Sequence, residues 1–188
     1  MKSVARTAVI GFPGQGLHDG RVVSFHSMSV ERFRQLNKFE IVAEEQVDSA
    51  ATELAFPAIR ADDEFSTLDI DGVRRLCDRL SVDAIIVGYY TTSSKEQHIT
   101  TNSSQSESGE VTTSYVQSIV QTIPRFDVCM IGKDGSLMFR AVSEGKRAGF
   151  WNAFWDLLVG SGSESPETFN DRIEDALDGI CTMLEDRL

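Results

Sequence analysis

Val82-Asp83-Ala84-Ile85-Ile86-Val87-Gly88-Tyr89-Tyr90 decides the fold class. Residues 84–87 form an unbroken apolar run. A strand that is apolar at every position suits a sheet covered by helices on both faces. Just upstream, Val73, Leu76, Cys77 and Leu80 follow an i, i+3, i+4, i+7 stripe, and Asp69 or Asp71 stands where a helix cap is needed. A one-faced helix feeding a doubly buried strand is an α/β arrangement.

Toward the amino terminus, Ala8-Val9-Ile10-Gly11-Phe12 reads as a second buried strand, ending in the turn chemistry of Pro13-Gly14-Gln15-Gly16. Val22, Val23, His26, Val30 and Phe33 recur at helical spacing and predict a helix running to about Asn37. Phe39-Glu40-Ile41-Val42 is a further strand, and a short helix is expected over residues 46–54.

Toward the carboxyl terminus, residues 91–114 are rich in Ser, Thr, Gln, Asn and Glu and nearly free of apolar side chains, which predicts a hairpin tip or loop inserted in the domain. Residues 115–123 partly alternate, as a half-exposed strand does, until Pro124 restricts the continuation. Residues 126–131 and 137–142 flank Lys133-Asp134-Gly135, and Asp-Gly between two apolar runs is a strong hairpin signal. Residues 150–159 form a short aromatic segment expected to be helical, followed by the linker Gly160-Ser161-Gly162-Ser163. Ser165 as cap and Pro166 at the first helical position open a closing helix over 166–188, with Phe169, Ile173, Leu177, Ile180 and Leu184 on one face. The expected architecture is a single α/β (α+β) domain over residues 1–188. It has a mixed sheet, an antiparallel hairpin portion and three to four flanking helices.

Composition narrows the function. With 41% hydrophobic and 25% charged residues, the 188-residue chain can bury a sizeable core. Its net charge of −11 and lack of any Lys/Arg cluster oppose nucleic-acid binding, which needs the opposite sign. No apolar run reaches transmembrane length. Residues 1–6, with Arg6 interrupting, lack the apolar region of a signal peptide. The expectation is a cytoplasmic protein, unless a targeting segment preceded this sequence.

The chemical motifs are thin. Gly11-Phe12-Pro13-Gly14-Gln15-Gly16 follows a strand and precedes an expected helix, where glycines can let backbone N–H groups cradle an anion. It lacks the GK[ST] ending and the GxGxxG spacing, and Pro13 removes one N–H. His18, His26 and His98 show no ligand spacing, so no metal is expected. Cys77, Cys129 and Cys181 lie far apart on apolar stretches and read as core thiols. Acidic neighbours such as Asp62-Asp63 and Glu44-Glu45 read as solvated faces. As a helix, Trp151, Phe154, Trp155 and Leu158 would share one face, which either packs on the sheet or meets a partner.

Four stretches together resemble a known family. These are Val9-Ile10-Gly11-Phe12, Leu36-Asn37-Lys38-Phe39-Glu40-Ile41-Val42, residues 76–88 (LCDRLSVDAIIVG) and residues 126–141 (FDVCMIGKDGSLMFRA), followed by the helix from Pro166. They resemble bacterial envelope lipoprotein domains related to the curli-secretion channel protein. They are also similar to the amino-terminal domain of the Tol translocation protein and to the lipoprotein activators of penicillin-binding proteins. The resemblance implies an anticodon-binding-domain-like fold and a non-enzymatic envelope part, without a cofactor, that binds other envelope proteins or self-assembles. It also implies a periplasmic or outer-membrane-associated location. Peripheral contact with a membrane-bound complex would fit such a part. The partner-binding candidates are Trp151, Phe154 and Trp155, with Tyr90 and Tyr115 flanking the polar stretch. The alternative is a small-ligand or nucleotide-binding enzyme built on the 11–16 turn. The polar stretch itself is too hydrophilic to offer an apolar lipid face.

Overall fold

The computed structural model describes residues 6–18, 21–60, 63, 65–105, 111–145 and 166–187. The strand predicted around residue 85 is the structural centre. β5 (Ala84–Gln105) lies between β1 (Arg6–Gly11) and β6 (Val111–Gly132), in a five-stranded sheet of order β4-β1-β5-β6-β7. The two-residue β4 (Glu40–Ile41) and β5 run parallel to β1, while β6 and β7 (Leu137–Glu144) add antiparallel ladders. The mixed sheet with an antiparallel portion is therefore as expected.

Two parallel crossovers run in opposite directions across the sheet. The chain passes from β1 through α1 (Phe25–Gln35) to β4 on one side, then through α2 (Glu44–Glu53) and α3 (Ile70–Leu80) back across to β5. Crossovers of one hand that travel in opposite directions place their helices on opposite faces. Accordingly Val9, Ala84, Ile86, Phe126, Val128 and Met130 pack with α1 and with α4 (Pro166–Glu185). Ala8, Ile10, Ile85, Val87, Cys129 and Ile131 pack with α2 and α3. Residues 84–87 are completely buried because each face has its own layer.

Local signals hold for several elements. The Asp69 side chain accepts from Gly72 N at 2.9 Å and starts α3, whose Val73, Leu76 and Cys77 are fully buried. At the β6–β7 turn Gly135 adopts φ +82°, and Asp134 Oδ1 accepts from Ser136 N at 2.9 Å and from Ser136 Oγ at 2.6 Å. In α4, Ile173, Leu177, Ile180 and Leu184 are buried.

The first helix is shorter than expected. Val22 and Val23 belong to a strand, because β2 (Gln15–His18) pairs antiparallel with β3 (Arg21–Ser24) in a separate hairpin. Helix α1 begins only at Phe25, where Ser24 Oγ accepts from Ser27 N at 3.0 Å. It ends at Gln35, with Asn37 in the left-handed region at φ +51°.

This also removes the basis for an anion cradle at residues 11–16. No helix follows the turn directly, and Gly11 and Gly14 answer to packing instead. Gly11 and Gly14 have φ of +85° and +118°. A Cβ on Gly11 would run into the Gly88 carbonyl, and one on Gly14 would lie 2.6 Å from the Phe25 ring. Phe25 N donates to Gly14 O at 3.1 Å, closing the turn over the core. The nucleotide-binding reading thereby loses its structural premise.

Candidate functional site

The feature that sets this domain apart is what β5 and β6 do beyond the sheet. β1 leaves β5 at the pair Gly11–Gly88, and β7 leaves β6 at the pair Glu144–Arg125. The β5–β6 ladder nevertheless continues without a register shift for thirteen further pairs, from Ser93–Ile123 to Gln105–Val111. At about 3.4 Å per residue this is a two-stranded ribbon projecting roughly 45 Å. The polar composition of residues 91–114 suggested a hairpin tip or loop; residues 91–105 and 111–114 belong to an antiparallel hairpin, as a continuous ladder rather than a loop, with residues 106–110 outside the described set.

Pro124 marks the ribbon's foot. It pairs with Thr92, and its carbonyl accepts from Gly145 N at 2.9 Å, on the side where β7 ends. A strand residue's N–H and C=O point to the same side, so the missing N–H also faces the departing edge and costs no ladder bond. Beyond Pro124 neither strand of the ribbon has another neighbour in the described sheet. On each edge about six N–H and six C=O groups therefore point outward. Such edges recruit further strands unless they are blunted. Apart from one Lys and one Glu (Lys95, Glu96), residues 93–105 and 111–122 carry no Asp, Glu, Lys or Arg.

The ribbon's base is pinned by aromatic packing. The half-buried Tyr90 ring sits 4.6 Å from Phe25 and 5.3 Å from Phe126, centroid to centroid. Tyr90 thus anchors the foot of the ribbon rather than standing free on a surface, and burial pushes its hydroxyl up to about 12. Tyr115 lies on β6 opposite Thr101, well out along the ladder. Trp151, Phe154 and Trp155, with the rest of the aromatic segment and the 160–163 linker, lie outside the described residues.

The remaining candidates fall in different places. His26 Nδ1 lies 3.1 Å from Gly11 O and Nε2 lies 3.7 Å from Glu44 Oε1, at one wall of a cavity of about 540 Å³ bounded by α2. His18 is in β2, His26 in α1 and His98 in the ribbon. Among the described residues no three His, Cys, Asp or Glu side chains gather to hold a metal. All three cysteines are buried and unpaired. Desolvation raises Cys77 and Cys129 to about 12 and Cys181 to about 11, which suppresses thiolate chemistry. Among the described residues no helix is long and apolar enough to cross a membrane.

Sequence reasoning missed the 15–24 hairpin. Its register pairs His18 with Arg21 across two residues, and those residues are Asp19-Gly20. The same dipeptide correctly marked the β6–β7 turn, so the signal was present.

No family model and no curated protein matches this chain. Among solved structures, the LpoB C-terminal domain from Salmonella enterica is similar at 11% identity and a TM-score of 0.44, covering 78% of this chain and 86% of that one. The LpoB C-terminal domain from Escherichia coli is similar at 8% identity and a TM-score of 0.42, with the same coverage of 78% and 86%. The NMR structure of Escherichia coli LpoB gives 12% identity and a TM-score of 0.41, over 75% of this chain and 58% of that one. At these values the likeness is one of outline and carries no function across.

Proposed function

We propose that this domain is a non-enzymatic interaction module of the cell envelope, and that its working part is the projecting ribbon. The observation that carries the reading is the ladder of thirteen pairs that outruns both neighbouring strands. Isolated two-stranded ribbons are marginal in water. A ribbon of this length gains most by adding strands at its open edges, where main-chain hydrogen bonds supply affinity. The proposed occupant is a second copy of the chain. Two copies of a molecule carrying −11 repel each other over most of their surface, and the ribbon strands, with one Lys and one Glu, are where that repulsion is least. An antiparallel edge is also self-complementary under two-fold symmetry.

The envelope setting, periplasmic or outer-membrane-associated, is supported by the resemblance of residues 36–42, 76–88 and 126–141 to envelope lipoprotein domains. Trp151, Phe154 and Trp155 are proposed as a second contact face toward other envelope proteins, with Tyr115 on the ribbon and Tyr90 at its foot.

The test replaces residues 95–121 by Asn-Gly, a two-residue hairpin turn. The intact chain is expected to self-associate with rising concentration in sedimentation equilibrium. The shortened chain is expected to stay monomeric with an unchanged melting temperature, since the buried core lies below the cut. An intact chain that is monomeric at every concentration, or a shortened chain that still associates, overturns the reading.

A further inference from the structure

The face of the sheet beside the ribbon's foot carries a polar cavity that the interaction role does not use. It has a volume of about 400 Å³ and lies between the sheet and Asp63, Phe65 and Ser66. On the sheet side the register sets Tyr89 opposite Asp127 and Thr91 opposite Arg125. Tyr89 is 3% exposed, and its hydroxyl has no hydrogen-bond partner among the described residues. A buried hydroxyl left without a partner costs stability that a Phe would not. Natural chains tolerate such costs mainly where a site needs the group.

The surrounding charges indicate what the hydroxyl awaits. Arg140 is committed, with Nε and Nη2 donating to the two Asp127 oxygens at 3.0 and 2.6 Å and its guanidinium 5.0 Å from the Phe65 ring centre. Asp127 is thereby occupied on both oxygens. Arg125 lines the same cavity, and among the described residues its guanidinium makes no ion pair. On the facing wall Asp63 accepts from Arg60 N at 2.6 Å, which leaves it one oxygen and works against a multiply charged guest. The uncommitted groups are thus mainly donors: the Tyr89 O–H, the Thr91 hydroxyl and the Arg125 fork. Burial and the Asp127 and Asp63 carboxylates hold the Tyr89 phenol in its protonated, donating form.

We propose that this cavity seats one small oxyanion, a carboxylate or a phosphate group, held by the Tyr89 hydroxyl and the Arg125 guanidinium with Thr91 beside them. A guanidinium fork matches either group through two parallel hydrogen bonds.

The test titrates sodium acetate and inorganic phosphate separately into the intact protein at constant ionic strength, following backbone amides by two-dimensional NMR. Saturable shifts are expected around residues 89–91 and 125–127, with a midpoint on the order of millimolar. The probe that saturates first identifies the source of the oxyanion. Tyr89→Phe and Arg125→Gln are each expected to weaken that midpoint about tenfold or more. Tyr89→Phe is also expected to raise the melting temperature by about 2–4 °C, because it removes an orphaned buried hydroxyl. Shifts that fail to saturate with both probes, or that persist unchanged in both variants, overturn the proposal. A melting temperature for Tyr89→Phe that is unchanged or lower overturns it too, since the hydroxyl would then be partnered in the free protein.

Discussion

Gly88→Ala tests whether the β1–β5 junction is built around a single ring. Phe12 leaves β1 in the left-handed region at φ +56°, and its N–H donates to Gly88 O at 2.8 Å. The ring is 1% exposed and is braced by Phe33 at 5.9 Å and Phe126 at 6.0 Å. A Cβ on Gly88 would overlap that ring at Cζ, Cε2 and Cδ2 together. The ring cannot retreat, because the backbone behind it is fixed by the hydrogen bond and two other rings stand beyond it. Gly88→Ala should therefore sit at the upper end of the overpacking range, about 3 kcal/mol. In a Phe12→Ala background, itself costing about 3–5 kcal/mol, the overlap vanishes and the new methyl fills part of the cavity, gaining about 0.8 kcal/mol. The double-mutant cycle should give a coupling of about 3–4 kcal/mol, with Gly88→Ala changing from damaging to mildly favourable. Urea denaturation followed by far-UV circular dichroism measures all four corners. Phe12→Leu can substitute where Phe12→Ala is too unstable to titrate. A cost for Gly88→Ala that is the same in both backgrounds refutes the argument.

Two other outcomes are expected. Cys77, Cys129 and Cys181 are raised to about 12, 12 and 11, so the folded state keeps protons that the unfolded thiols release near pH 8.5. Stability from these groups is then complete below about pH 8.5 and falls as pH rises toward 11–12, by up to about 1.4 kcal/mol per pH unit for each thiol. Urea midpoints taken between mildly and strongly alkaline pH should drop steeply, and less steeply in Cys129→Ala; a flat profile contradicts the assignment. Asp69→Ala removes the 2.9 Å cap on Gly72 N and should cost about 1 kcal/mol, seen as a fall of roughly 2–4 °C in melting temperature, whereas Asp69→Asn should be nearly neutral.

What the sequence determined by itself was everything a residue settles with its near neighbours. The stripe Val73, Leu76, Cys77 behind an Asp cap makes α3 wherever it packs. Asp134-Gly135 turns the chain because glycine reaches φ +82° without penalty. The apolar run at 84–87 announced two covered faces, and the structure supplies one layer of helix for each. Tertiary structure decided matters of strand pairing and of chance proximity. Val22 and Val23 fit a helical stripe but take a strand, since residues 15–18 offer a ladder and Ser24 caps a later start. By composition residues 93–105 fit either a hairpin tip or a loop, and they are hairpin strand because residues 111–123 lie opposite in register. Tyr90 is a partner-binding candidate by sequence, and only the fold packs it against Phe25 and Phe126, residues distant in sequence. Nothing near Tyr89 in the chain foretells that its hydroxyl stands without a partner among the described residues, in a cavity it shares with Arg125, because those residues are brought to one cavity only through the β5–β6 register. Helix caps and tight turns are written in dihedral preference and are local. Ladders, buried orphans and open edges depend on which distant segment arrives beside them, and only the folded chain specifies that.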